Sequence, residues 1–450
     1  MTVDEVVKFV DQMVFEKTGK HLDDIQIAVV EGTWNRKSYD DIARKYNLTN
    51  NHIADIGSKL WQLLSDILNE NIKKSNFCST IERIYIQSSQ NPNICIGNNH
   101  YFNSQILNHP HQADVKSNIN TESSLSAYDL TFAPEIINFY RREKELEKLY
   151  DWIFKQNKRL ISVLGLYGVG KTTLVKRFVD LNLNSFPVMI WRSLKYPQSL
   201  DLLVGDILKV CQQQPEESLD KRLKQLFAIL GNHKCLIVID DFQNLLTPGK
   251  IAGEYKSEYQ DYQSFLTMIT EFKHQSHVIL ISQEQCPEMQ CLEHEFYPIN
   301  CLQILGLHDV DILQNSGLKA QEEWFNLINL YAGNFNDLKC IISLIHNNYD
   351  GDVGEFLAEE TLVITNQMQS RFREIFNRLS TQEQEIVLSL SKFDIPVTRE
   401  DLKQHSSLSA IDFINGLQSL QQRYLVTKIK NEKIFFQLYP VFREYVSNFC

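Results

Sequence analysis

The sequence predicts a multidomain α and α/β protein: a P-loop parallel-sheet domain, helical and winged-helix domains after it, and a small all-α module before it. Three observations carry this. Short apolar runs at 160–164, 187–191, 235–239 and 278–281 alternate with helical stretches at 171–181, 199–212 and 262–272, the pattern of a parallel sheet covered on both faces. The first of these runs leads straight into the glycine-rich stretch GLYGVGKT, which opens a helix. Residues 1–86 and the chain beyond about 303 have helical periodicity instead.

The elements follow in order. Within residues 1–86, a short amphipathic helix at 39–46, a turn at 47–51 and a longer helix carrying Ile53, Ile56, Leu60, Leu63, Leu64 and Ile67 on one face have the spacing of a helix-turn-helix. The second helix offers Asn50, Asn51 and His52, but Lys59 is its only cation before Lys73, with Asp55 and Asp66 beside it. Phosphate attraction would be weak, which favours a protein contact over DNA. Residues 87–135 are crowded with Asn, Ser, Gln and His and offer too little apolar surface to offset ordering, so they read as a flexible linker. The sheet domain is expected at 136–302, a helical domain at 303–376, and a winged helix at 377–450, where three helices precede two short strands around the turn 430–432.

Composition excludes several classes. With 450 residues and 43% apolar content the chain can bury more than one core. A net charge of -11 argues against a protein that coats nucleic acid or anionic membrane. No apolar run approaches the roughly 20 residues a membrane helix needs, and the start MTVDEVVKFV is acidic where a signal peptide is basic, so a cytoplasmic location without a membrane partner is expected. The nine cysteines include no C-x-x-C pair and read as free thiols. Cys286, Cys291, His294 and Cys301 are ligand types in a short span, but their spacing matches no common zinc knuckle, and packing is the expected role.

The chemistry lies in two motifs. Gly165, Gly168, Gly170, Lys171 and Thr172 have the G-x-x-x-x-G-K-[ST] spacing between a strand and a helix. Glycines there let successive N–H groups, including those of Val169 and Thr173, point at phosphate oxygens while the helix N-terminus adds its partial charge. Lys171 would reach the β- and γ-phosphates, and Thr172 would ligate Mg²⁺. About 70 residues on, an apolar strand ends in Asp240 and Asp241; Asp240 is the second expected Mg²⁺ ligand and Asp241 the candidate to polarise an attacking water.

These residues, with FYRREKELEKLYDWI, MIWRSL, LIVIDDFQNLL, HVILISQE, YAGNFNDLK and FQLYPVFREYV in order, resemble an NB-ARC module of the STAND class of signal-transduction ATPases. The likeness runs from about 137 to the C-terminus and is greatest to bacterial, cyanobacterial-type members, in which a similar N-terminal helix-turn-helix often precedes the module. It implies a switch that closes over ADP, opens and self-associates on exchange for ATP, and hydrolyses slowly or not at all. It also implies that Arg142 contacts adenosine, Phe335 stacks on the base in place of a proline, and Tyr439 replaces a histidine that latches onto the ADP β-phosphate. Where the family has a γ-phosphate-sensing arginine this chain has Gln283, and a supplied arginine is worth about 10³ to 10⁵ in rate in related transfers. No repeat period is visible before the chain stops at Cys450, so sensing is expected to fall to the N-terminal module, a partner or the core itself. The expected function is an ADP/ATP-controlled signalling switch with an unknown protein partner, assembling as a homo-oligomer. The alternative is a transcription regulator whose helix-turn-helix binds DNA under nucleotide control. A metabolic ATPase or kinase fits poorly, since no second substrate site is visible.

Overall fold

The computed structural model describes residues 3–81, apart from 19, 36, 47, 69, 71, 75 and 79, then 126–289 and 298–450. The chain splits into two compact units, the second of which begins at Ser123.

In the first unit four helices, α1 (Val3–Thr18), α2 (Asp24–Trp34), α3 (Tyr39–Lys45) and α4 (Asn50–Leu68), enclose a core that includes Val10, Met13, Val30, Ile42, Ile53, Leu60 and Leu64. Capping boxes start α2 and α3: Asp23 exchanges bonds with Gln26, and Ser38 with Asp41. Trp61 Nε1 donates to Tyr39 Oη at 2.8 Å, pinning α4 to α3. The outward face of α4 carries Asn50, Asn51, His52, Asp55, Ser58, Lys59, Gln62 and Asp66. Lys59 on that face is already paired with Asp55 at 2.7 Å.

The second unit is built on a six-stranded sheet of order β1-β3-β4-β5-β2-β6, parallel throughout. Its strands are β1 (Ala127–Asp129), β2 (Leu160–Leu164), β3 (Val188–Ser193), β4 (Cys235–Asp240), β5 (His277–Ser282) and β6 (Ile299–Gln303). β2, β4 and β5 are buried along their whole length, as a sheet covered by helices on both faces requires. Helices α5 (Glu143–Tyr150), α6 (Lys171–Leu181), α7 (Leu200–Val210), α8 (Leu219–Asn232) and α9 (Asp261–Glu271) connect them.

Two strands of this sheet differ from the sequence expectation. β1 forms inside the stretch read as linker, where Ala127–Asp129 pairs with β3 and Asp129 binds Arg192 at 2.7 Å. Its three residues have no local period to detect, and the pairing is decided by the neighbouring strand. Most of the expected linker, 87–125, lies outside the described residues. β6 was missed because Asn300 and Cys301 break its apolar run; it forms because β2 offers an unpaired edge.

Beyond β6 come α10 (Trp324–Leu330), α11 (Phe335–Asn348), α12 (Val353–Leu357) and α13 (Asn366–Arg378). Then α14 (Thr381–Leu390), α15 (Arg399–Gln404) and α16 (Ala410–Gln422) lead into the hairpin β8 (Val426–Lys430) and β9 (Ile434–Leu438), joined at its other side by the two-residue strand β7 (Val397–Thr398). Helix α17 (Pro440–Phe449) closes the chain. One apolar core runs from Ile312 to Val446 through all of these elements.

Buried charges hold this C-terminal part against the sheet. Arg423 donates to Glu284 Oε2 at 2.6 Å, to Glu383 Oε1 at 2.8 Å and to the Lys250 carbonyl at 2.7 Å. Glu383 caps its own helix with the other oxygen and accepts from Ser419 Oγ at 2.6 Å, while Arg378 reaches Glu284 and the Gln243 carbonyl. Removing one partner of such a group leaves an uncompensated buried charge. Arg423→Met is therefore expected to destabilise the protein by about 3 kcal/mol or more, read by chemical denaturation. Wild-type stability in that variant would show the network to be dispensable.

Candidate functional site

The site lies at the C-terminal edge of the sheet, where the parallel register gathers the ends of β2, β3, β4 and β5. Leu164 pairs with Ser282, and Ser193 with Asp240. From Leu164 the chain turns through Gly165–Gly170 into α6, which begins at Lys171. Gly168 has φ +82°, and a Cβ there would come within 2.5 Å of Asn336 Cβ and 2.6 Å of Asn334 Oδ1. Only glycine can hold this conformation with the start of α11 so close. Gly170, at φ +94°, faces open space instead: a Cβ there would meet nothing within 4 Å.

Lys171 Nζ is buried and donates to the Gly165 carbonyl at 2.9 Å and the Leu166 carbonyl at 2.8 Å. Burial lowers its pKa to about 8, opposed by the nearby charges of Asp240 and Asp241. Thr172 Oγ1 lies 3.4 Å from Asp240 Oδ1. Asp240 is raised to about 6, first by burial and then by Asp241. Val169 is buried and Thr173 half-buried. A cation between Thr172 and Asp240 and an anion against the loop would relieve both perturbations. The residues present therefore fit a phosphate chain with a divalent ion: Gly168–Thr173 and Lys171 would hold the phosphates, and Thr172 and Asp240 the metal, which would supply neutralising charge.

The remaining expected site residues take other geometries. Asp241 is left-handed, φ +60°, and its oxygens accept from Ser193 Oγ at 3.2 Å and Gln243 Nε2 at 3.1 Å, so it is tied to β3 and to the turn after β4. Gln243 Oε1 in turn accepts from the Gln283 amide at 3.2 Å. Arg142, also at positive φ, gives its guanidinium to Glu145 Oε1 at 2.8 Å, the Leu305 carbonyl at 2.6 Å and the Val169 carbonyl at 3.3 Å. Both of its terminal nitrogens are thus bound to protein, one of them to the loop at Val169. Phe335 is the first residue of α11 and is 44% exposed. Tyr439 does not stand free to meet a ligand: its hydroxyl donates to Asp337 Oδ2 at 2.8 Å.

Sequence reasoning missed Asp337 and Arg371. Asp337 is fully buried on α11, its pKa raised by burial, and is bound by both Tyr439 and Arg371. Arg371, on α13, lies over the Tyr167 ring at 5.2 Å, and Asn334 Nδ2 donates to the Tyr167 carbonyl at 2.8 Å. An acid between apolar positions of a helix was the available signal for Asp337; Arg371 has none. Cys286 meets the Tyr255 hydroxyl at 3.3 Å and Cys301 contacts the Met289 carbonyl. Cys291 and His294 lie outside the described residues.

A parallel sheet whose β2 runs through a glycine loop into a helix, with an acid at the end of β4, defines a P-loop nucleotide-binding domain. Residues 142–296 match the NB-ARC domain, and residues 1–84 match the N-terminal helix-turn-helix of vWA-MoxR associated proteins. The sheet domain therefore carries an NB-ARC domain with the P-loop NTPase fold. It is 31% identical over 337 residues to an uncharacterized WD repeat-containing protein of Nostoc sp., a match covering 70% of this chain and 27% of that protein, so the chain spans about a quarter of that relative's length. Among solved structures, the Walker-type ATPase of Pyrococcus abyssi superposes with a TM-score of 0.51 at 14% identity, over 69% of this chain and 96% of that one. The ORC2 protein of Aeropyrum pernix gives 0.43 at 15% identity, over 71% and 96%. Among the described residues no helix is long and apolar enough to cross a membrane.

The two perturbed groups set a pH window. Phosphate favours charged Lys171, so binding above about pH 8 must take up a proton and weaken as pH rises. A metal favours ionised Asp240, so binding below about pH 6 must release a proton and weaken as pH falls. Calorimetric titration of Mg-ADP in buffers of different ionisation enthalpy should show proton uptake on the alkaline side and release on the acid side. An affinity independent of pH across both pKa values would contradict this reading of the two residues.

Proposed function

We propose that the protein is a nucleotide-controlled signalling switch. ADP or ATP with Mg²⁺ binds through Gly165, Gly168, Val169, Gly170, Lys171, Thr172 and Thr173, with Asp240 completing the metal site. Hydrolysis is slow or absent. The domains are the helix-turn-helix module 1–86, a linker from 87 to the start of β1, the nucleotide domain from β1 to 302, the helical domain 303–376 and a winged helix 377–450. Exchange of ADP for ATP loosens the last two from the nucleotide domain and allows self-association or capture of a protein partner.

The observation that carries this reading is where the loop's neighbours come from. Asn334 and Arg371, which touch Tyr167, belong to the helices after the sheet, and Arg378 and Arg423 from the same part hold the segment just beyond Gln283. Whatever displaces the phosphate loop or the end of β5 must strain those contacts, so ligand state and domain docking are thermodynamically linked. Slow turnover is supported by Asp241 being bound to Ser193 and Gln243, and by the neutral Gln283.

Lys171→Ala should abolish nucleotide retention and any difference in particle mass between ADP and a non-hydrolysable ATP analogue, measured by light scattering on the full chain. Equal retained nucleotide in that variant would overturn the site. Steady turnover above about 1 s⁻¹ would overturn the slow switch. The self-paired charges on α4 support a protein contact for the helix-turn-helix. Full-length protein is thus expected to shift DNA only weakly at physiological salt; a tight shift with steep salt dependence would favour the transcription regulator instead.

A further inference from the structure

From these contacts we infer that Arg371 is the cation that distinguishes a nucleoside triphosphate from a diphosphate in this chain, exchanging Asp337 for the terminal phosphate. The inference rests on the nucleotide reading above. The ammonium of Lys171, the group that reaches the outer end of a phosphate chain, lies 2.8 Å from the Leu166 carbonyl. The next residue is Tyr167, and the Arg371 guanidinium lies over its ring at 5.2 Å. Arg371 therefore stands at the end of the loop where a third phosphate would extend.

Its partners are suited to exchange. Arg142, the other arginine touching the loop, spends its guanidinium on Glu145 and two carbonyls. Arg371 has one hydrogen-bond acceptor among the described residues, Asp337, although a guanidinium carries five donors. Asp337 retains the Tyr439 hydroxyl at 2.8 Å when Arg371 leaves, but loses its only ion-pair partner among the described residues in a fully buried position. Tyr439 precedes α17 directly, so the cost of that loss falls on the contact between α11 and the C-terminal helix. Gln283, neutral at the end of β5, offers no competing charge. A diphosphate leaves the pair intact; a triphosphate draws Arg371 away and loosens the closed arrangement.

The test compares Mg-ADP with a non-hydrolysable Mg-ATP analogue by calorimetry on full-length, nucleotide-stripped protein. Because Arg371→Ala alone strands a buried carboxylate, the decisive variant is Arg371→Ala with Asp337→Asn. It should keep ADP affinity within about twofold and lose about tenfold or more for the triphosphate, the scale of one charge-assisted bond. Asp337→Asn alone frees Arg371 and should tighten the triphosphate without tightening ADP. If the double variant weakens both ligands equally, or neither, Arg371 does not read the terminal phosphate. If the wild type binds neither nucleotide, the switch reading itself fails and this assignment with it.

Discussion

The parallel register of β2 between β5 and β6, with β4 and β3 beyond β5, is the constraint on which the rest of the molecule depends. It fixes the ends of four strands at one edge and sets the glycine loop opposite Asp240. Once Leu164 is opposite Ser282 and Ser193 opposite Asp240, Lys171, Thr172 and the two acids converge without further adjustment. That convergence is electrostatically uncomfortable: an ammonium and a carboxylate are both driven toward neutrality by burial. A site that suppresses its own charges is one that gains most from a charged ligand and its counter-ion.

Around that edge the chain is held in two different ways. On one side, Arg142 ties the Val169 carbonyl of the loop to the Leu305 carbonyl just past β6. On the other, contacts come from the helices beyond the sheet: Asn334 and Arg371 at Tyr167, Arg423 and Arg378 at Glu284. Buried ion pairs of this type add little net stability over apolar packing but are intolerant of partial disruption.

Much of this was legible in the sequence. The four central strands, the loop and the two acids announce themselves because each needs particular residue types at fixed spacing. The hairpin 426–438 and the helices before it were likewise readable from period. What the sequence hid was pairing between distant segments. Ala127–Asp129 is a strand because β3 accepts it; Ile299–Gln303 is one because β2 does. Tyr439 was expected to face a phosphate and instead binds Asp337, a residue whose significance depends on two partners 102 and 34 positions away. Arg142, expected at adenosine, binds Glu145 three residues on and two carbonyls brought near it only by folding.

The edge strand β1 has a consequence of its own. A parallel sheet of buried, β-branched strands that ended on the six-residue β3 would present a row of open amides and carbonyls to any other extended chain. Three residues are enough to cover part of that row, and Asp129, bound to Arg192, places a charge pair on the covering strand. A short, charged margin is a poor template for further strands. The stretch that enters the nucleotide domain thus also shields the β3 side of its sheet from the addition of further strands.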